Sequence, residues 1–102
     1  MRDELFYGLH RIGGEVSARE WQDFVDSVVA PQSPAGFTVV EATGLWRDET
    51  GAVVREPSRV LLIVHPYCRE EEHALGAVIA EYRERFHQES VERVTTPARA
   101  RF

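Results

Sequence analysis

Val60-Leu61-Leu62-Ile63-Val64 is the most apolar run of the chain, and it closes at His65-Pro66. An unbroken apolar run rich in branched side chains reads as a central strand buried on both faces. Worked backwards, this strand begins at Ala52 and pairs with a second one, Phe37 to Trp46, across the turn Asp48-Glu49-Thr50-Gly51, so the two form a hairpin. Pro57 falls inside the strand and has no N–H to give to a ladder, which predicts an edge position or a bulge there. Gly44, in the partner strand, marks a bulge or a close approach.

Worked forwards, Arg69 to His87 reads as the longest helix. Leu75, Val78, Ile79, Tyr82 and Phe86 recur at the spacing that packs one face on a sheet. Glu70, Glu71 and Glu72 at its start and Arg83 and Arg85 at its end carry the charges that complement the helix dipole. A last strand follows from Ser90 to about Thr95. At the other end of the chain, Glu4 to Ile12 reads as a strand that Gly13-Gly14 terminates. Ser17-Ala18-Arg19-Glu20 is a capping box, and the helix it opens runs from Ala18 to about Val29. Its stripe is Trp21, Phe24, Val25, Val28 and Val29, and Pro31 and Pro34-Ala35-Gly36 stop it.

The order is therefore βαββαβ. Two βαβ halves fold most simply as a ferredoxin-like α+β sandwich, an antiparallel four-stranded sheet with two helices on one face. The 102 residues suit a single domain spanning 1–102. The uncovered sheet face calls for a partner, and a homodimer packed sheet against sheet is the expected cover.

Composition narrows the function classes. Seventeen acidic residues against 12 basic ones give a net charge of −5, the wrong sign for nonspecific nucleic-acid binding. All the basic residues are Arg, so Schiff-base chemistry on Lys is excluded. The single Cys68 allows no internal disulfide. No apolar stretch is long enough to span a membrane, and the start, Met1-Arg2-Asp3-Glu4, has no signal-peptide core. A cytoplasmic location is expected, with export open only if a leader was removed.

No phosphate loop, nucleophile elbow or cofactor fingerprint is present, so no cofactor is expected. His65, Cys68 and His73 match no metal-site spacing, and no metal site is assigned. What remains are two polar signatures at element ends, where loops carry function. The first is Gly44-Leu45-Trp46-Arg47-Asp48 with Val54-Arg55-Glu56-Pro57-Ser58-Arg59; the second is Arg85-Phe86-His87-Gln88-Glu89-Ser90-Val91. Trp46, Arg47, Arg55, Arg59, Gln88 and Ser90 are the candidate ligand-binding residues, with an arginine gripping an anion in a bidentate fork. His10, Glu56 and Glu89 are the catalytic candidates, as groups able to move a proton. His10, Glu41, Arg55, Glu56 and Arg59 are expected to cluster at one end of the sheet, far from His65. The bland reading of the same residues is a network of ion pairs and helix-exit bonds that only maintains the fold.

The chain resembles the bacterial family called domain of unknown function three-five-seven-four. The resemblance rests on Leu5-Phe6-Tyr7-Gly8-Leu9, Val16-Ser17 with Glu20-Trp21 and Phe24, and Pro34-Ala35-Gly36-Phe37-Thr38-Val39. It continues in Gly44-Leu45-Trp46-Arg47, Gly51, Arg55-Glu56, Ser58, Tyr82, Arg85-Phe86 and Gln88-Glu89-Ser90-Val91. It implies no activity. Some members of that family are exported or lipid-anchored, from which the leaderless start of this chain departs. Two functions are open from the residues: a domain that binds a small molecule, an anionic one included, with cofactor-independent catalysis as an option, or a noncatalytic oligomerisation or protein-interaction module.

Overall fold

A computed structural model describes all residues, Met1–Phe102. Strand β1 (Arg2–Gly8) is followed by a two-residue pair, β2 (His10–Arg11) and β3 (Gly14–Glu15). Helix α1 (Ala18–Phe24) runs through a π-helical turn, Val25–Val29, into α2 (Ala30–Gln32). The hairpin β4 (Thr38–Arg47) and β5 (Val53–Val64), helix α3 (Arg69–Arg85) and β6 (Glu92–Thr96) complete the chain. The main sheet has the order β4-β5-β1-β6 with every pairing antiparallel. This is the ferredoxin-like α+β sandwich, with β5 and β1 at its centre.

The period of two along each strand sorts the side chains. Leu5, Tyr7, Leu61 and Ile63 face the helices and meet Trp21, Phe24, Val25, Val29, Leu75, Val78, Tyr82 and Phe86 in one core. Tyr7, Trp21, Phe24, Tyr82 and Phe86 form a continuous aromatic cluster with ring centroids 4.6 to 6.1 Å apart, a spacing at which tilted and edge-on rings attract. The Tyr7 hydroxyl lies inside it without a hydrogen-bond partner, and burial pushes its pKa up.

Val60 and Leu62 take the opposite phase and face away from the helices, beside Phe6 and Val40. The run is thus sealed on the helix face, where Leu61 lies in the core, and only partly covered on the other, where Val60 is 8% and Val64 49% exposed. Pro57 also departs from expectation, because its strand is central and its register with β4 unbroken. The Pro57 carbonyl accepts from the Leu9 N–H at 3.0 Å, so the proline nitrogen also points towards β1. It does so beyond Gly8, where the paired run has ended, and no ladder bond is lost.

The capping box forms as read, with Ser17 Oγ accepting from the Glu20 N–H and Glu20 Oε1 from the Ser17 N–H. The helix nevertheless continues past Val29 and Pro31 to Gln32. In the π turn the Ala30 N–H reaches back to the Val25 carbonyl, and this wider spacing loosens the ladder at the point where a proline would break it. The first strand is shorter than expected. It stops at Gly8, and His10 to Glu15 folds into its own small hairpin turning at Gly13, φ 86°.

Candidate functional site

The segment Gly8–His10 is held from four directions. The Tyr82 hydroxyl donates to the Gly8 carbonyl at 2.6 Å, and the Leu9 N–H donates to Pro57. The His10 N–H donates to Glu56 Oε2 at 2.8 Å, while Gln88 Nε2 donates to the His10 carbonyl at 2.6 Å. Gly8 is there because of Glu56. A Cβ on Gly8 would lie 2.5 Å from Glu56 Oε2, so only glycine lets that carboxylate lie flat across β1.

Gln88 is aimed by the exit of α3. The Gln88 N–H bonds the Arg83 carbonyl at 2.9 Å, and His87 between them has φ 53°. This is a Schellman-type ending with histidine in the left-handed position that usually holds glycine.

These elements enclose a cleft of about 780 Å³ on the helix-free face, at the end of the sheet where β4 and β5 outrun β1. Phe6, Gly8, Gly44, Trp46, Glu56 and Ser58 form its floor; His10 to Ile12 and His87 to Ser90, with Glu92, form its rim. Gly44 pairs with Glu56, and the Trp46 ring edge folds back to 4.0 Å from where a Gly44 Cβ would stand. Indole and carboxylate thus line the same cleft, the indole edge beside Gly44 and the carboxylate over Gly8. Glu56 Oε2 is occupied by His10, and Oε1 accepts no bond from the protein.

Both signatures thus meet in one cleft, through Trp46, Glu56 and Ser58 from the first and Gln88, Glu89 and Ser90 from the second, with His10 beside them. The arginines do not join them. Arg47 donates to the Gly51 carbonyl and closes its own turn. Arg55 and Arg59 sit at odd positions of β5, in phase with Leu61 and Ile63, and so project to the helical side. Arg59 lies 3.7 Å from Glu41 across the strand pair. The expected cluster is divided by the sheet itself, with His10 and Glu56 on one side and Glu41, Arg55 and Arg59 on the other.

The cleft is consequently acidic. Glu56, Glu89 and Glu92 line it against Arg11 alone, and the Arg11 guanidinium is bound to Glu20 at 2.7 Å and stacked on Phe86. An anion would meet carboxylates here, and none of Arg47, Arg55 and Arg59 lines the cleft.

Sequence reading missed a second polar cluster at the opposite end of the sheet. Asp3, fully buried, accepts from Arg93 Nε at 2.8 Å, from Thr95 and from His65, and Arg93 continues to Glu72 at 2.7 Å. Burial alone would raise the Asp3 carboxyl; its bonds from Arg93, Thr95 and His65 outweigh that and hold it at about 2. The signal was legible in the phase, since Asp3 alternates with Leu5 and Tyr7 on the buried face. These groups tie β1, β6 and α3 together.

Fold and cleft define a small ferredoxin-like α+β protein with a concave site on its open sheet face. The chain belongs to the family of proteins of unknown function DUF3574, which it matches over residues 2–102. Among solved structures it is similar to a phage SAM lyase in complex with S-methyl-5'-thioadenosine, with a TM-score of 0.68 at 21% identity over 90% of this chain and 76% of that one. A phage SAM lyase in the apo state superimposes with a TM-score of 0.60 at 20% identity, over 97% and 91% of the two chains. At such identities the likeness is one of fold. No curated protein matches the chain. No helix is long and apolar enough to cross a membrane.

Proposed function

We propose that this protein binds a small molecule of the adenosine type in the open-face cleft, without a cofactor. The observation that carries the reading is the convergence there of an indole, an anchored carboxylate, an imidazole and the hydroxyls of Ser58 and Ser90. A flat apolar wall with a few fixed polar groups is how small-molecule sites are built. The fold neighbour in complex with S-methyl-5'-thioadenosine supports the choice of ligand class. Glu56 and His10 are the groups placed to move a proton if the bound molecule reacts. A cytoplasmic setting accords with the free thiol of Cys68.

Titration calorimetry with S-methyl-5'-thioadenosine tests binding. Saturable heat that falls by about tenfold in affinity on Trp46→Ala is expected, since a stacked aromatic is worth roughly 1–2 kcal/mol. Absence of heat in the wild-type protein overturns the reading. Incubation with S-adenosylmethionine followed by chromatography then tests for turnover.

A second reading is favoured by a separate observation. Val40, Val64 and Val94, on the open face away from the cleft, are 42, 49 and 40% exposed. Such a row on a sheet face suits a second copy of the chain.

A further inference from the structure

The cleft's charge and shape narrow the ligand further. We infer that the group recognised between Trp46 and Glu56 is a cation, a sulfonium or an alkylated ammonium, carried by the small molecule. The inference rests on the cleft being a ligand site and specifies what that site selects.

Three features of the cleft converge on it. First, Glu56 is an anchored carboxylate, not a loose surface one. Its Oε2 is fixed by the His10 N–H at 2.8 Å, Gly8 leaves it room, and no arginine or histidine pairs with it. Its open Oε1 is a fixed negative charge awaiting a counter-charge. Second, the Trp46 indole lines the same cleft, with its ring edge beside Gly44 on the strand paired with that of Glu56. An indole face attracts a cation through its quadrupole, most strongly when the cation is large and weakly hydrated. Third, the one guanidinium on the rim is already engaged with Glu20, so nothing in the cleft competes for Glu56. A sulfonium or alkylated ammonium has no strong hydration shell to surrender and no geometric demand for hydrogen bonds. It fits a carboxylate on one side and a π face on the other. A phosphate or carboxylate in the same place would face Glu56, Glu89 and Glu92, and the only guanidinium in the lining, that of Arg11, is already bound to Glu20.

Two probes that share the adenosine half separate the charge from the rest. S-adenosylmethionine carries the sulfonium; S-adenosylhomocysteine keeps the adenosine and the amino-acid arm and is the thioether, its methyl and the charge on sulfur removed together. Calorimetry should give tighter binding of S-adenosylmethionine by about tenfold, and this gap should close in Glu56→Gln while the affinity for the thioether stays as it was. The amide oxygen of glutamine still accepts the His10 N–H, and circular dichroism checks that the fold is kept. If that variant fails to fold, the wild-type protein still gives the answer: the sulfonium's advantage must shrink as salt rises from low to high concentration, because added ions screen it, whereas thioether binding must not. Equal affinities for the two probes, or tighter binding of adenosine monophosphate than of either, overturn the inference and leave the small-molecule reading standing. Failure of all three to bind overturns both.

Discussion

Gly8 and Glu56 are a matched pair, and the match can be measured. Gly8→Ala brings a Cβ to within 2.5 Å of the Glu56 carboxylate, so the acid must leave the His10 N–H. We expect a cost of about 1–2 kcal/mol, the value of a charged hydrogen bond with some overpacking. Most of that cost should vanish when Gly8→Ala is made in a Glu56→Ala background. Urea unfolding of the four proteins in the cycle gives the coupling, and strictly additive effects would refute the contact. Asp3 makes a different prediction. Its carboxyl titrates at about 2 in the folded protein against 3.8 when unperturbed. A depressed folded value means stability that is complete above the unfolded pKa and is lost as pH falls from about 4 through 2. The loss amounts to roughly 2 kcal/mol. Asp3→Asn should flatten that part of the pH–stability profile and cost about 2–3 kcal/mol at neutral pH, by leaving Arg93 short of a partner. A profile unchanged by the substitution would mean that Asp3 is not held as described. These two pairs also show where sequence reading stops. Glu56 and the signatures stood out by composition, yet which arginines could reach them depended on strand phase. Arg55 and Arg59 lie one residue out of step with Glu56, and one residue is a whole face of a sheet.

At the scale of elements, the strongest signals were local and proved sufficient: the capping box, the hairpin turn and the helical stripes each place their element within a few residues. What they could not carry was the effect of one element's end on another. Pro57 is tolerated in a central strand only because β1 stops at Gly8, a fact about a different part of the chain. Pro31 is tolerated because a π turn precedes it. The exit of α3 offers a test of element ends. His87 takes φ 53° so that Gln88 can reach the His10 carbonyl, and a side chain costs about 1 kcal/mol in that conformation. His87→Gly should therefore raise the stability by about 1 kcal/mol in urea unfolding, while leaving the Gln88 contact and the cleft in place. Destabilisation would show that the His87 side chain itself holds the junction. Gln88→Ala is the complementary change: it frees the His10–Glu15 hairpin from α3 and should speed amide exchange in residues 10–15 with little effect on the core.

The whole molecule is long for its size, 45 × 26 × 22 Å, and the hairpin β4–β5 continues past the end of β1. That extension supplies one wall of the cleft, and it leaves Leu45, Trp46 and Val53 about half exposed. The same sheet is sealed by helices on one side and bare on the other. On the bare side Val60 is only 8% exposed, covered by its own neighbours Phe6 and Val40, so the apolar row is already partly packed and a flat partner would complete it. A sheet-on-sheet dimer would use Val40, Val64 and Val94 at its centre. Phe6, which belongs to both this row and the cleft, would then join the two surfaces. Light scattering should give twice the 11.6 kDa chain mass, and Val40→Glu should return the protein to one chain with its circular dichroism unchanged, because the new charge would have to be desolvated at the interface. Binding and association should then be linked. A ligand that holds Phe6 and Trp46 in the shape the dimer needs must tighten association by the same factor by which association tightens the ligand. A wild-type protein that scatters as one chain at high concentration, with and without S-methyl-5'-thioadenosine, would remove the second copy from the account and leave the cleft as the sole use of the open face.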